Sequence, residues 1–411
     1  MNINLVSYTS SLDKLTLKHQ VHEELLNELE LNYSVNYFSH AELDKVPFEL
    51  FSILFIATGG VEHLIIKDIE RLPRPIILLT DGLQNSLPAA LEVSTWLRKR
   101  GIKNEILHGD FAYIKKRIDT LALNFKAQQT LKNEHIAILG SPSPWLLSSG
   151  VDYYLVKQRW GLNFTNIPMS KVYTYFEAVT VNDVKEEVEI FKNNALGCKG
   201  VNDTAILNSM RFYKAVKRLC QEDGFTALSM NCYKALEDIG VTGCLANSLL
   251  NNEGIIAGCE GDLQALFTLL VIKNLTGQIG YMCNPNSIDI HNNQLILGHC
   301  SIPTSQVQDY IIRDHFASKK TVSIQGIVPL GEATIAKCAG ECLDEFFVSS
   351  GSILDNTSIE RSSRTEVLFK QKNPVSYFLK NPLGNHHILV RGNHEEALKS
   401  FLETYSCKRF E

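Results

Sequence analysis

Short apolar runs alternate with amphipathic, helix-like segments up to about residue 277, and there the alternation stops. In the first stretch, strand-like runs cover residues 3–7, 33–38, 51–57 and 75–79, with a short one at 106–107. Helical patterns at 11–31, 87–100 and 113–131 lie between and after them. Alternation of this kind predicts a parallel sheet wrapped by helices, because parallel neighbours need a crossover and the helix supplies it. Two runs end in tight-turn signals, Thr58-Gly59-Gly60 and Asp81-Gly82, at the carboxyl ends where open α/β sheets bind ligands. Neither is a GxGxxG fingerprint, so both read first as turns.

A second alternating unit begins near Asn133. A strand at 135–139 runs into the turn Gly140-Ser141-Pro142-Ser143-Pro144-Trp145. Helical patterns follow at 151–159, 184–194, 203–223 and 246–250, with a strand at 225–230. The unit ends in an apolar run, the motif Gly258-Cys259-Glu260-Gly261-Asp262, and a long apolar helix closed by Thr276-Gly277. From Gln278 strand-like runs at 279–283, 287–290, 294–299, 321–328, 333–338, 346–354, 366–369 and 387–391 are joined by turns, and one helix, 395–404, comes last. The predicted fold class is therefore α/β: two Rossmann-like three-layer domains, 1–130 and 131–277, the second carrying Glu260. A β-rich, antiparallel, barrel-like C-terminal domain, 278–411, follows with a terminal helix.

With 411 residues the chain exceeds one ordinary core, and 45% hydrophobic with 21% charged residues is a soluble globular balance. A net charge of −5 gives no electrostatic case for nucleic acid. All 10 cysteines lie at Cys198 or later; the nearest pair is Cys338 and Cys342, and no CxxC pairs argue for structural zinc. No apolar run approaches membrane-spanning length, and the start lacks a basic, then apolar, leader pattern. The expectation is a cytoplasmic protein with free thiols.

Four places in the second half carry polar groups among apolar segments. Glu260 sits between two runs that read as buried, where an ionised carboxylate is costly without a cation or hydrogen bonds. Asn284 ends one strand, with Asp289 five residues on. His299 closes the strand 294–299, and His386-His387 enters the last one. Adjacent strand residues face opposite ways, so only one of that pair can face a given site. A carboxylate, an amide or carboxylate oxygen and two imidazoles form a mixed oxygen and nitrogen donor set, suited to Mn²⁺, Fe²⁺, Co²⁺ or Zn²⁺. The same Asp262 also reads as the N-cap of the helix that follows.

In order and spacing, Gly258-Cys259-Glu260-Gly261-Asp262, Leu275-Thr276-Gly277, Leu297-Gly298-His299-Cys300 and Gly384-Asn385-His386-His387 resemble the signature of the L-fucose isomerase and L-arabinose isomerase superfamily, nearest its shorter fucose isomerase-like branch. The motifs cover roughly the last two fifths of the chain. The resemblance implies the same three-domain plan and a metal-dependent aldose–ketose isomerase working through a cis-enediol, with Mn²⁺ the expected ion. It implies Glu260 as ligand and proton-transfer group, and Asn284, His299 and one of His386 or His387 as further ligands. His387 is preferred by analogy with the arabinose branch, leaving His386 to touch substrate. It also implies a homo-oligomer, trimer or hexamer, in which the loops 58–60 and 81–85 are the contact candidates.

The chain departs from that pattern at the second acid, where Cys283-Asn284-Pro285-Asn286 stands. An amide can ligate or orient but cannot act as a base. Asp289 is the nearest carboxylate to replace it. Two alternatives follow from that loss: a sugar-binding or regulatory protein on the same scaffold, and a sugar lyase or aldolase stabilising an enediolate. Among weaker candidates, His315 beside Arg313 and Asp314 could touch substrate, Arg391 and His394 could support the histidine pair, and Trp145 could stack on a sugar.

Overall fold

The computed structural model describes residues 1–10 and 21–411, which fall into two compact units. Unit 1 comprises residues 1–129 with 403–406, and unit 2 comprises 130–402 with 407–411. Of the helix predicted over 11–31, positions 11–20 lie outside the described residues, and the remainder is the helix Glu23–Asn32.

Unit 1 is built on five strands: β1 (Asn2–Tyr8), β2 (Ser34–Ser39), β3 (Ser52–Ile56), β4 (Ile76–Leu79) and β5 (Asn104–Leu107). They pair in parallel in the order β2-β1-β3-β4-β5. Side chains alternate between the faces, and both faces are buried. Leu5, Ile53, Phe55 and Ile77 pack on one side against Leu29 and Ile118, while Val6, Leu54, Ile56 and Leu78 pack on the other against Ile65 and Val93. That two-sided burial is why these strands read as continuous apolar runs.

Unit 2 contains both the parallel sheet and the barrel that the sequence divides at residue 277. Its parallel sheet uses β6 (His135–Leu139), β7 (Asn163–Ile167), β9 (Ala227–Met230) and β10 (Ile256–Cys259) in the order β10-β9-β6-β7. The intervening β8 (Gly197–Lys199) belongs to a small three-stranded sheet with β13 (Asp309–Asp314) and β14 (Val322–Ile327). The barrel strands are β11 (Tyr281–Asp289), β12 (Gln294–His299), β15 (Gly331–Ala339), β16 (Glu345–Thr357), β17 (Thr365–Gln371) and β18 (His387–Arg391). They run β15-β18-β11-β12-β17-β16, all antiparallel, and β15 pairs with β16 to close the ring. A short β19 (Lys408–Arg409) adds in parallel to β16. Closure removes the exposed edges that an open sheet of this length would present.

The helix Leu263–Thr276 joins the two parts. It is buried on nearly all sides, so its sequence is apolar all round rather than amphipathic. The space left by Gly258 lets Leu266 approach β10, and Gly280 lets Leu269, Ile272 and Ile388 meet. Thr268 accepts a hydrogen bond from the backbone of Cys338 at 2.9 Å, tying the helix to β15.

Elements absent from the sequence reading include β7, β8, β13, β19 and the helices Glu62–Asp68, Met169–Ala178, Cys232–Ile239 and Tyr377–Lys380. β7, Asn-Phe-Thr-Asn-Ile, is a sheet-edge strand with only Ile167 buried, so it lacks an apolar run. β13 begins and ends in aspartate. The two runs expected at 279–283 and 287–290 are one strand, β11, carrying an irregularity between Pro285 and Ser287. No helix among the described residues is long and apolar enough to cross a membrane, and all ten cysteines are free thiols.

Candidate metal centre

The site begins where β10 ends. Glu260 follows Cys259 directly, at the carboxyl end of a parallel strand, and its backbone is left-handed with φ 65°. Few non-glycine residues adopt that region, and those that do cluster where position matters more than ease of folding. Gly261 follows at φ 75°, and a methyl group there would lie 2.5 Å from Cα of Pro142. The Glu260 carbonyl accepts from the Ser143 amide at 2.8 Å. The turns after β6 and β10 are thus locked together, and the lock aims Glu260. Gly261→Ala should therefore cost at least about 2 kcal/mol in a denaturant titration, because it adds a left-handed alanine and a backbone clash.

Glu260 Oε2 accepts from the Trp145 indole nitrogen at 2.6 Å, and Trp145 packs edge-on to Tyr233 with centroids 5.0 Å apart. Burial, then the Glu260 charge, pushes the Tyr233 hydroxyl far above its ordinary range, so it remains a protonated donor. The Glu260 side chain retains 13% exposure, while His386 is wholly buried behind it with Nε2 3.8 Å from Oε1. His299 ends β12, packs at 5.6 Å against the His386 ring, and places Nδ1 3.1 Å from the Ser301 hydroxyl. Burial, with the neighbouring imidazoles His386 and His315, pushes His299 down to about 3, so at neutral pH it is an uncharged donor.

Behind these residues is a wholly buried polar group. Asp262 uses one carboxylate oxygen to cap the helix at the Ala265 amide, 2.8 Å away. Its other oxygen lies 3.0 Å from His386 Nδ1 and 3.5 Å from the Lys337 ammonium, and all three side chains have no exposure. Burial alone would raise the Asp262 carboxyl. The Lys337 charge and the hydrogen bond and charge of His386 outweigh it and hold the acid well below the usual carboxylate range. An ionised carboxylate only accepts, so His386 Nδ1 donates to Asp262, and Nε2 is the ring nitrogen turned toward Glu260. The remaining contact of Nε2 is a long one, 3.4 Å, to the Asn385 amide nitrogen.

Glu260, His299 and His386 each offer one ligating atom, all within 4.8 Å of one another. Asn284, opposite Gly298 in the β11–β12 pairing, has a buried side-chain oxygen without a hydrogen-bond partner among the described residues. A buried orphan acceptor beside two imidazoles and a carboxylate is what a bound divalent cation would satisfy. The donor set could hold a divalent cation.

The predicted residues divide as follows. Glu260, Asn284, His299, His315 and Trp145 all line one cavity of about 470 Å³, and His386 stands behind its wall. Two predictions are corrected. His387 does not reach the cavity: Nδ1 lies 3.2 Å from the Asn385 carbonyl, Nε2 lies 3.1 Å from the Tyr377 hydroxyl, and the ring packs on Phe378. Its neighbour on the strand faces the site instead, since consecutive strand residues point oppositely. Asp289 is exposed at the far end of the hairpin, where its carboxylate accepts from the Asn292 amide and side chain at 3.0 and 2.7 Å. Glu260 is therefore the only carboxylate among the described residues lining the cavity. Arg391 is exposed, and His394 makes local contacts to the Arg391 carbonyl and Gln278.

Tyr233, Arg361 and the Asp262–Lys337 pair went unrecognised in the sequence. Tyr233 had a signal: Asn231 caps its helix by accepting from the Lys234 amide at 3.0 Å. Lys337 had one as well, being a lone lysine in an apolar strand.

No protein-family model matches the chain. Similar curated proteins are distant. The sulfoquinovose isomerase of Alkalicoccus urumqiensis is 22% identical over 220 residues, 53% of this chain and 49% of that protein. The sulfoquinovose isomerase of Priestia aryabhattai is 19% identical over 270 residues, 62% of this chain and 59% of that protein. A protein of the same name from Clostridium sp. (strain MSTE9) is 28% identical over 92 residues, 22% of this chain and 21% of that protein. The alignments thus span about six-tenths or less of these relatives' own length. By name they are sugar isomerases, in keeping with the resemblance at that level, and none of them is named an L-fucose or L-arabinose isomerase.

Proposed function

We propose that this chain is a metal-dependent aldose–ketose isomerase acting on an open-chain sugar. The observation that carries the reading is the grouping of Glu260, His299 and His386, with ligating atoms within 4.8 Å of one another, at the wall of a cavity that Asn284, with its unpartnered oxygen, also lines. Likeness to sulfoquinovose isomerases supports the reaction class and nominates sulfoquinovose, a hexose with a sulfonate at C6, as the first substrate to try. Glu260, Asn284, His299 and His386 would hold a divalent ion, with Mn²⁺ the first choice, and the ion would supply Lewis-acid polarisation of the sugar carbonyl.

The chain's own groups then have distinct tasks. Glu260 takes the C2 proton and returns it to C1 while the O2 hydroxyl proton passes to O1, and Glu260 acts alone, since no second carboxylate among the described residues lines the cavity. The Trp145 indole holds Oε2 and leaves Oε1 on the His386 side. Asp262 fixes the His386 tautomer, and Lys337 keeps Asp262 ionised. Tyr233 and His315 offer donors to sugar hydroxyls. The Ser318 amide lies 3.3 Å from His315 Nδ1, and burial, then Arg364, pushes this imidazole down to about 4, so the proton sits on Nε2. A trimeric or hexameric assembly belongs to the same reading.

The test is solvent-deuterium entry. Incubating the Mn²⁺-loaded protein with sulfoquinovose in D₂O should place deuterium at C2 of the aldose and C1 of the ketose, read by NMR. The single-carboxylate cavity also favours two rivals. Cleavage to a three-carbon product would mark a lyase, and saturable binding without any exchange would mark a binding protein. Independently, Mn²⁺ at one hundred times its Kd should add about 2.7 kcal/mol of stability. His386→Ala should remove most of that gain, as seen in melting curves with and without the ion.

A further inference from the structure

The cavity has a second charged pole that the isomerisation does not use. Between β16 and β17 the chain crosses the cavity as Glu360-Arg361-Ser362-Ser363-Arg364, and Arg361, Ser362 and Ser363 line it. The segment is pinned at both ends. The Ile359 amide donates to Glu366 at 2.8 Å. Buried Arg364 donates to the Asp314 carbonyl at 2.8 Å, to its carboxylate at 2.9 Å and to the Glu360 carbonyl at 3.2 Å. Asn286 draws the middle against the barrel, donating to the Ser362 hydroxyl at 2.9 Å and to Glu366 at 3.0 Å. Gly298 permits that approach, because a Cβ there would lie 2.6 Å from the Asn286 amide nitrogen and 3.1 Å from Cβ of Ser363.

Arg361, held at the crest of this pinned segment, has no ion pair or hydrogen bond among the described residues. Among the described residues it is the one lysine or arginine lining the cavity, and the cavity's carboxylate, Glu260, is engaged by Trp145 and faces His386. A neutral sugar gives an unpaired guanidinium little that water does not. A tetrahedral oxyanion gives it two parallel charge-assisted hydrogen bonds, and the Ser362 and Ser363 hydroxyls could complete the cradle. We propose that Arg361 is the specificity-determining residue that binds an anionic substituent, a sulfonate or phosphate, on the sugar end remote from the carbonyl. The assignment rests on the sugar-isomerase reading above.

The experiment compares wild type, R361Q and R361K on sulfoquinovose, glucose 6-phosphate and glucose. Each protein is first shown to keep its Mn²⁺-induced melting shift. In R361Q the KM for the anionic sugar should rise roughly 10- to 100-fold, while that for glucose stays within about threefold. R361K should fall between, since a point charge replaces a fork. Which of the two anionic sugars suffers the larger loss identifies the oxyanion. An unchanged KM for both anionic sugars, or an equal loss on glucose, overturns the proposal. Should wild type exchange no C2 hydrogen of any of the three, the isomerase reading falls. Calorimetric titration of the same ligands into the same proteins then decides: a tenfold weaker Kd in R361Q supports Arg361 as the anion reader, and equal Kd values or no binding overturn it.

Discussion

Glu260→Gln is expected to lower the rate of solvent-deuterium incorporation into the sugar about 10³-fold, within the range that removal of a positioned acid–base group costs. The substitution preserves shape, so the Trp145 indole and the Ser143 amide keep their partners, and the latter bonds only to backbone. The melting temperature without metal should hence stay close to wild type. Mn²⁺ binding should weaken, because an anionic ligand becomes a neutral one. If Glu260→Gln retains more than a tenth of the exchange rate at saturating Mn²⁺, Glu260 is not the base. The comparison is informative because no other carboxylate among the described residues lines the cavity to take over the proton.

The second large effect concerns stability. Asp262→Ala should destabilise unit 2 by about 3–5 kcal/mol, with roughly 10 °C taken off its melting temperature. Three causes act together. Lys337 is left as a buried ammonium without its counter-charge, the helix Leu263–Thr276 loses its cap, and His386 loses the acceptor that fixes its tautomer. Pairing Asp262→Leu with Lys337→Met should recover a substantial part of the loss, because removing both buried charges costs less than removing one. That double variant should still fail to bind Mn²⁺ with wild-type affinity, since His386 remains unoriented. Equal stability of the double variant and Asp262→Ala would count against the ion-pair account.

Most of the architecture could be read in advance because its elements are buried on predictable faces. The strands β1, β3 and β4 are covered on both sides, so they show as apolar runs. The helix Leu263–Thr276 shows as apolar all round for the same reason. The edge strand β7, with one buried residue, and β13, which begins and ends in aspartate, carry no such mark. Of the site, Glu260, His299 and Asn284 stood out as polar groups set among apolar ones, and the cavity draws them together. Asp289 stood out only by nearness in sequence. It lies beyond the irregularity at Pro285, on the exposed end of the strand, where nearness in sequence is distance in space.

The histidine pair marks the boundary between the two kinds of information. The sequence by itself determined that at most one of His386 and His387 can face a given site, because strand side chains alternate. Only the tertiary structure decided which. That choice depends on Asp262 arriving from the start of one helix and Tyr377 from a short helix elsewhere, each satisfying one imidazole. The same holds for Lys337 and Arg361: a charge's meaning is set by whether a counter-charge lies within a few ångströms, and for these two the partners, present or absent, come from distant parts of the chain.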